Sequence, residues 1–286
     1  MKVSRRFVFA ILGAALVAVL AAPSVSGAGM LGGTLQWKTL KSAAPAWYTP
    51  ELHQKVLSAN HKAVALPAGA AIPTSSLAFL GIRPGQLLII DGGTLCTSNF
   101  VFTNGSQFFI GTAGHCGNVG AQVTMLYLPG GLVDIGTIVK STGDAGIGND
   151  FALIAIDPSL SGDVTGSMAW WGGPTGVYTG SGPAVVQHAG WGTVIGTGGT
   201  PRVGVGIDWT PNEWIFEGAI TPGDSGSGAI VLGGLAAGNI THIAVNGGVF
   251  PPVFMTGTSM TKIVQQYAAG YTLVTCPAIP SPLIGC

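Results

Sequence analysis

The sequence predicts an all-β protein, and three observations carry that expectation. Charged residues make up only 8% of the 286 positions, well below the usual quarter. Glycines number 47 and strong helix formers are few, which favours short strands joined by tight turns. Apolar, β-branched and aromatic runs of four to nine residues recur along the chain, punctuated by glycine, asparagine or proline. The length suits one large β-domain or two small ones.

From Arg83 the strand texture is continuous. Leu87–Asp91, Cys96–Thr103, Gln107–Gly111, Val123–Leu128, Leu132–Lys140 and Phe151–Asp157 read as six strands, the spacing of a small antiparallel barrel. After the turn-rich stretch 159–182, a second series follows: Ala184–Gly190, Thr193–Gly196, Val203–Trp209, Trp214–Glu217, Ser227–Leu232 and Ile240–Val245. Thr258 and Ser259 offer a cap for one short helix, Met260–Ala268, with Ile263, Val264 and Tyr267 on one face. The tail 271–286 is proline-rich and carries two cysteines.

Residues before Arg83 differ in texture. Lys2, Arg5 and Arg6, the apolar run Phe7–Ala22 and the small residues Ser26-Gly27-Ala28 read as an export signal over 1–28. The run is short for a membrane anchor, so no membrane attachment is expected once the signal is removed. Residues 29–82 read as a pro-segment or an N-terminal extension on the surface, with a disordered linker as the alternative. Within it, Pro50 marks a helix start and the helix extends to Ser58. The expected organisation is therefore signal 1–28, extension 29–82, first β unit 83–170, second β unit with its helix 171–270, and tail 271–286.

Charge and cysteine usage narrow the function classes. From position 83 on, four basic residues face ten acidic ones, a formal charge of −6. No basic stripe is left to follow a phosphate backbone, which argues against nucleic-acid binding. Cys96, Cys116, Cys276 and Cys286 allow three pairings, and sequence separation favours Cys96–Cys116 and Cys276–Cys286. No Cys-x-x-Cys or histidine pairing suggests a metal site, and no cofactor is expected. Disulfides accord with an exported chain.

Three stretches carry chemistry. Thr221-Pro222-Gly223-Asp224-Ser225-Gly226-Ser227-Gly228 sets a serine between glycines, which lets the backbone turn sharply and approach a substrate. Gly111-Thr112-Ala113-Gly114-His115-Cys116 places a histidine just past an apolar strand, where a neutral imidazole can take a hydroxyl proton. Asn149-Asp150-Phe151-Ala152-Leu153 places a carboxylate at the entry to a strand, able to orient that imidazole. Asp144 and Asp134 are the alternative carboxylates. His53 and His61 lie in the extension, and His188 and His242 lie within strands.

Together, and in the order His, Asp, Ser, these stretches resemble the three signature motifs of the chymotrypsin-like serine proteases of the bacterial secreted type, over residues 83–268. The resemblance implies two six-stranded antiparallel β-barrels with the active site between them. It implies His115 as general base, Asp150 as its orienting partner and Ser225 as nucleophile, with the N–H groups of Gly223 and Ser225 as oxyanion hole. It also implies that Cys96–Cys116 braces the histidine loop, that substrates are proteins or peptides, and that the product is a secreted monomer.

The chain departs from the family pattern in three places. No Ile-Val-Gly-Gly-like start precedes Leu87 to supply a new amino group for Asp224, so Asp224 needs another partner, for which Arg202 is the candidate. Ala219 falls where the resemblance puts the pocket base, and the absence of an acid there predicts a preference for apolar or small side chains, with Glu217 nearby. Val245-Asn246-Gly247-Gly248 resembles the substrate-binding strand, with Asn246 where the family often has serine and glycines that leave pocket space. The expected function is a secreted serine endopeptidase that is not specific for Arg or Lys, the alternative being an inactive member that serves as a binding protein.

Overall fold

A computed structural model describes residues 36–70, 72, 81–127, 131–192, 199–245, 254–279 and 286. The extension contributes strand β1 (Gln36–Thr39) and helix α1 (Pro50–Ser58). The helix starts as expected: Thr49 caps it by accepting the Leu52 N–H on its hydroxyl, and Pro50 opens the first turn.

The first sheet contains β2 (Leu87–Ile90), β3 (Thr94–Thr97), β4 (Val101–Thr103), β5 (Phe108–Thr112), β6 (Gln122–Tyr127), β7 (Gly131–Ser141) and β8 (Ala152–Ile156). The strand expected over Cys96–Thr103 is thus two strands meeting at a corner. Ser98 and Asn99 make the corner. The Ser98 hydroxyl donates to Arg83 O (2.8 Å) and accepts from Gln86 N (2.9 Å), while Asn99 Oδ1 accepts from Phe100 N (2.8 Å). Short polar side chains here satisfy backbone groups that a straight strand would hand to its neighbour.

The second sheet contains β9 (Gly176–Val177), β10 (Ala184–Gly190), β11 (Thr200–Trp209), β12 (Glu213–Glu217), β13 (Gly228–Val231), β14 (Leu235–Asn239), β15 (His242–Val245) and β16 (Phe254–Thr258). Its order is β1-β15-β16-β12-β11-β10-β13-β14-β9, antiparallel throughout except for the parallel pair β14–β9. The strand expected at Thr193–Gly196 lies outside the described residues. β14 and β16 escape sequence reading because Leu-Ala-Ala-Gly-Asn and Phe-Met-Thr-Gly-Thr lack β-branched runs, and burial rather than propensity makes them strands.

The expected C-terminal helix begins at Met260, with Ser259 Oγ accepting from Lys262 N (3.2 Å). It is helical over Met260–Lys262 (α2) and then widens into one π-type turn, Ile263–Tyr267. Beyond it, β17 (Thr272–Leu273) adds to β4, giving the first sheet the order β17-β4-β5-β8-β7-β6-β2-β3. Among the described residues the sheets hold eight and nine strands rather than six each: the tail adds β17 and the break at Ser98 and Asn99 divides one expected strand in the first, while the extension adds β1 and the chain adds β9, β14 and β16 in the second.

Each sheet has its own apolar core, the first built on Leu88, Val101, Ile110, Val123 and Ile154, the second on Val186, Trp214, Phe216 and Ile240. A third cluster joins them and includes Phe100, Phe102 and Phe151 from one side, Ile230 and Ala236 from the other, and Met260 and Ile263. The two sheets are therefore locked across a shared apolar face, so described groups on opposite sides of the seam keep fixed distances.

His188 lies on β10 opposite Arg202 of β11, fully buried, with its ring 5.8 Å from that of Phe216. Burial first, and the neighbouring Arg202 second, push its pKa well below the ordinary value. The unfolded chain binds a proton at this residue near pH ~6.5, which the folded chain refuses. Its contribution is complete above that pH and is lost as pH falls below it, at up to about 1.4 kcal/mol per pH unit. Urea midpoints measured at pH 7.5 and pH 5 are expected to fall further for the wild type than for His188→Leu. Equal falls in the two proteins would remove His188 as the cause.

Candidate active site

The histidine sits on a short 3-10 turn, Gly114–Cys116, immediately after β5. Two fastenings hold the turn. Cys116 is joined to Cys96 in β3, and the Ser141 hydroxyl at the end of β7 makes hydrogen bonds to Gly114 O (3.1 Å) and Gly117 O (2.8 Å). The second disulfide joins Cys276 to Cys286 in the tail.

Asp150 is completely buried at the entry to β8. Residues across the seam hold it: its N–H donates to Thr258 Oγ1 (3.1 Å), and Asn239 Nδ2 donates to its carbonyl oxygen (2.8 Å). Lys262 and Tyr267 bind the neighbouring Asn149 side chain at 2.6 and 3.0 Å, so the C-terminal helical segment braces the same loop. Both carboxylate oxygens of Asp150 face the histidine. Oδ1 accepts the His115 backbone N–H (3.0 Å) and Oδ2 meets Nδ1 (2.6 Å). Neither alternative carboxylate takes this place: Asp134 faces His61, and Asp144 lies beside Lys41 and His242.

Ser225 lies in the turn between β12 and β13, with Oγ 2.7 Å from His115 Nε2. The turn requires glycine. Gly223 has φ +104° and Gly226 φ +86°, and a Cβ on Gly226 would stand 2.6 Å from Ala113 N, inside the histidine loop. Thr97 of β3 pins the turn from the first sheet, its hydroxyl donating to Gly223 O (2.8 Å) and its N–H to Ser225 O (2.8 Å). Asp224 is buried beneath it. Arg202 of β11 reaches both its oxygens, with Nη2 at 2.6 Å from Oδ1 and Nη1 on Oδ2, and the N–H groups of Gly192 and Thr221 each donate to it at 2.8 Å. Arg202 is thus the cationic partner of Asp224.

The three residues singled out from sequence therefore converge: carboxylate, imidazole and hydroxyl stand in one hydrogen-bonded line. A carboxylate on Nδ1 fixes the neutral ring as the Nδ1–H tautomer and leaves Nε2 to accept the serine proton. His242, next along β15, lies 3.9 Å from Asp150 Oδ2 through Nδ1, with its ring centroid 6.5 Å from that of His115. Burial chiefly lowers the His242 pKa, so a neutral ring flanks the carboxylate. Asp144, Asp150 and His242 bring ligand atoms within 4.8 Å of one another, but both Asp150 oxygens are committed to His115.

Other expected binding residues are placed differently. Ala219 is exposed and its carbonyl accepts from Arg202 Nη1 (3.3 Å), so the side chain that enters the apolar cluster is that of its neighbour Ile220. Val245 ends β15, while Asn246, Gly247 and Gly248 lie outside the described residues. Sequence reading missed Leu40. Its carbonyl oxygen lies 2.6 Å from Ser225 Oγ and 3.5 Å from Gly223 N. No local signal marks Leu40, since it meets Ser225 across 185 residues of chain.

The two-sheet architecture is superposable on solved structures. A glutamic acid specific serine protease aligns over 67% of this chain and 100% of its own, with TM-score 0.52 and 17% identity. The chain has the chymotrypsin fold. Thermobifida fusca Protease A aligns with TM-score 0.47 and 19% identity, covering 68% of this chain and 98% of its own. Human heparin binding protein aligns with TM-score 0.47 and 18% identity, covering 72% and 95%. No protein-family model and no curated protein sequence matches the chain. In this fold His115 and Asp150 lie on connections of the first sheet and Ser225 on a turn of the second.

Proposed function

We propose that this chain is a secreted serine endopeptidase that hydrolyses peptide bonds through an acyl-enzyme, with Ser225 as nucleophile, His115 as general base and acid, and Asp150 orienting His115. One observation carries the reading: the Asp150–His115–Ser225 line, at 2.6 and 2.7 Å, ends on a peptide carbonyl 2.6 Å from the serine oxygen. The single hydroxyl proton faces two acceptors, imidazole Nε2 and that carbonyl oxygen, and its passage to Nε2 frees the oxygen to attack.

The steps follow. Ser225 Oγ attacks the carbonyl carbon as His115 takes its proton, and the N–H groups of Gly223 and Ser225 receive the developing negative oxygen, at about 3 kcal/mol per donor. His115, now an imidazolium stabilised by Asp150, gives the proton to the leaving nitrogen. Water then cleaves the ester by the same route. The apolar cluster that takes in Ile220 and Leu40, whose carbonyl meets Ser225, supports a preference for uncharged side chains. Export through residues 1–28 accords with the disulfides, and no described helix is long and apolar enough to cross a membrane.

A fluorophosphonate probe tests the assignment. Purified wild-type protein is expected to be labelled at Ser225, as located by peptide mass mapping, and Ser225→Ala is expected to be unlabelled. Label that persists in the alanine variant would dismiss Ser225 as the nucleophile.

A further inference from the structure

The peptide that crosses the site belongs to the chain itself. β1 pairs antiparallel with β15 (Gln36 with Val245, Trp37 with Ala244, Lys38 with Ile243 and Thr39 with His242). Leu40 continues the line, its N–H donating to Thr241 O (3.1 Å). Its side chain is 1% exposed, within the apolar cluster that includes Ile220, Ile240 and Ile243. Past the Leu40 carbonyl the chain is gripped by the other sheet: Leu95 N donates to Ser42 O and Ala44 N to Gly93 O, both at 2.9 Å. Asp144 spans the junction, accepting from Thr39 Oγ1 (3.4 Å) on one side and lying 3.6 Å from Lys41 Nζ on the other.

One peptide group, Leu40–Lys41, is therefore held from both sheets with its carbonyl on the serine. Strand addition to a sheet edge is a general way of binding an extended peptide, with alternate side chains read by pockets. A bond fixed in this position meets its nucleophile at an effective concentration far above any reached in solution.

We propose that the chain cuts its own Leu40–Lys41 bond in cis, and that the pocket now filled by Leu40 selects leucine-like side chains in later substrates. The inference rests on the endopeptidase reading above. Ser225 Oγ bonds to the Leu40 carbonyl carbon and its proton passes to His115. The Leu40–Lys41 C–N bond breaks as His115 returns the proton to the Lys41 nitrogen. Water then adds to the Leu40–Ser225 ester, its proton goes by way of His115 to Ser225, and the products are a Leu40 carboxylate and a Lys41 amine.

The two halves of the cut segment have different holds. Among the described residues, β1 pairs with β15 alone, so the upstream product leaves by breaking one short strand pair. The downstream half runs on into Tyr48 and Val64, which are fixed to the first sheet by Tyr48 Oη to Thr124 Oγ1 (2.9 Å) and by the paired bonds of Val64 with Leu132 (2.8 Å). Cleavage thus vacates the edge of β15 and keeps the rest of the extension in place.

The full chain, expressed as wild type, Ser225→Ala and Leu40→Asp, provides the test, read by N-terminal sequencing and intact mass. Wild type is expected to begin at Lys41 by a conversion whose half-time does not change over a 100-fold dilution. Ser225→Ala is expected to keep the bond. Leu40→Asp is expected to cut it at least about 100-fold more slowly, since a carboxylate would have to enter the apolar pocket unpaired. A synthetic peptide of residues 36–44 is expected to be cut between leucine and lysine by the processed enzyme. The proposal is overturned if wild type takes the fluorophosphonate label and hydrolyses other peptides while Leu40–Lys41 stays whole or is cut only at high concentration. Absence of both label and hydrolysis would instead fell the endopeptidase reading beneath it.

Discussion

Asp150→Asn is expected to lower kcat on a peptide substrate by about 10⁴-fold with little change in KM. The reason lies in the two donors that meet this side chain. Asp150 Oδ1 accepts the His115 backbone N–H and Oδ2 accepts from Nδ1. An amide has one oxygen, and the backbone N–H can only donate, so the oxygen stays with the backbone and the amide NH2 turns toward Nδ1. The ring must then hold its proton on Nε2 to accept there, and a protonated Nε2 cannot take the proton of Ser225. The edge of β15 proposed to take substrate is untouched, which leaves KM in place. Steady-state kinetics on the purified variant, with circular dichroism to check folding, would measure this. A loss of less than about tenfold would mean that Asp150 does not set the tautomer.

Arg202→Ala is expected to cost about 3–5 kcal/mol of stability, because it leaves Asp224 buried without its cation. Asp224 is fully buried and the Arg202 side chain is 9% exposed, so water cannot take over the lost contact. The same carboxylate collects the N–H groups of Gly192 and Thr221, and it sits one residue before Ser225. Loss of the arginine therefore loosens the turn that aims the Gly223 N–H, and kcat/KM is expected to fall by about 10²–10³, as when one oxyanion donor is removed. Arg202→Lys is expected to be intermediate, because an ammonium cannot hold both oxygens as a planar guanidinium does. Urea midpoints and kcat/KM for the three proteins check both effects together. A midpoint near the wild type in Arg202→Ala, with full activity, would show that the Gly192 and Thr221 N–H groups hold Asp224 without a cation.

Much of the molecule was legible in its residues. The alternation of apolar runs with glycine and asparagine turns located most strands to within a few residues, because side-chain burial on one face imposes a short-range pattern. The α1 start was legible for a similar reason: Thr49 and Pro50 act on a helix within one turn of themselves. Errors fell where structure is imposed from outside. β14 and β16 are strands because they are buried between partners, and Cys96–Thr103 breaks because Ser98 and Asn99 serve distant backbone.

The candidate site divides in the same way. Gly114-His115-Cys116, Asp150-Phe151 and Gly223-Asp224-Ser225-Gly226 are local signals, each needing only a few neighbouring residues to be recognised, and by itself the sequence determined which three groups to expect and in what order. The sequence nominated Arg202 among four bases, and tertiary structure decided that it, rather than Arg83, Lys140 or Lys262, meets Asp224. Tertiary structure alone replaced Ala219 by Ile220 in the apolar cluster and laid Leu40 against Ser225. These are contacts between segments with no shared pattern, made when two sheets close on each other and an edge strand finds an unpaired partner, and burial and hydrogen bonding across that distance leave no mark in either segment alone.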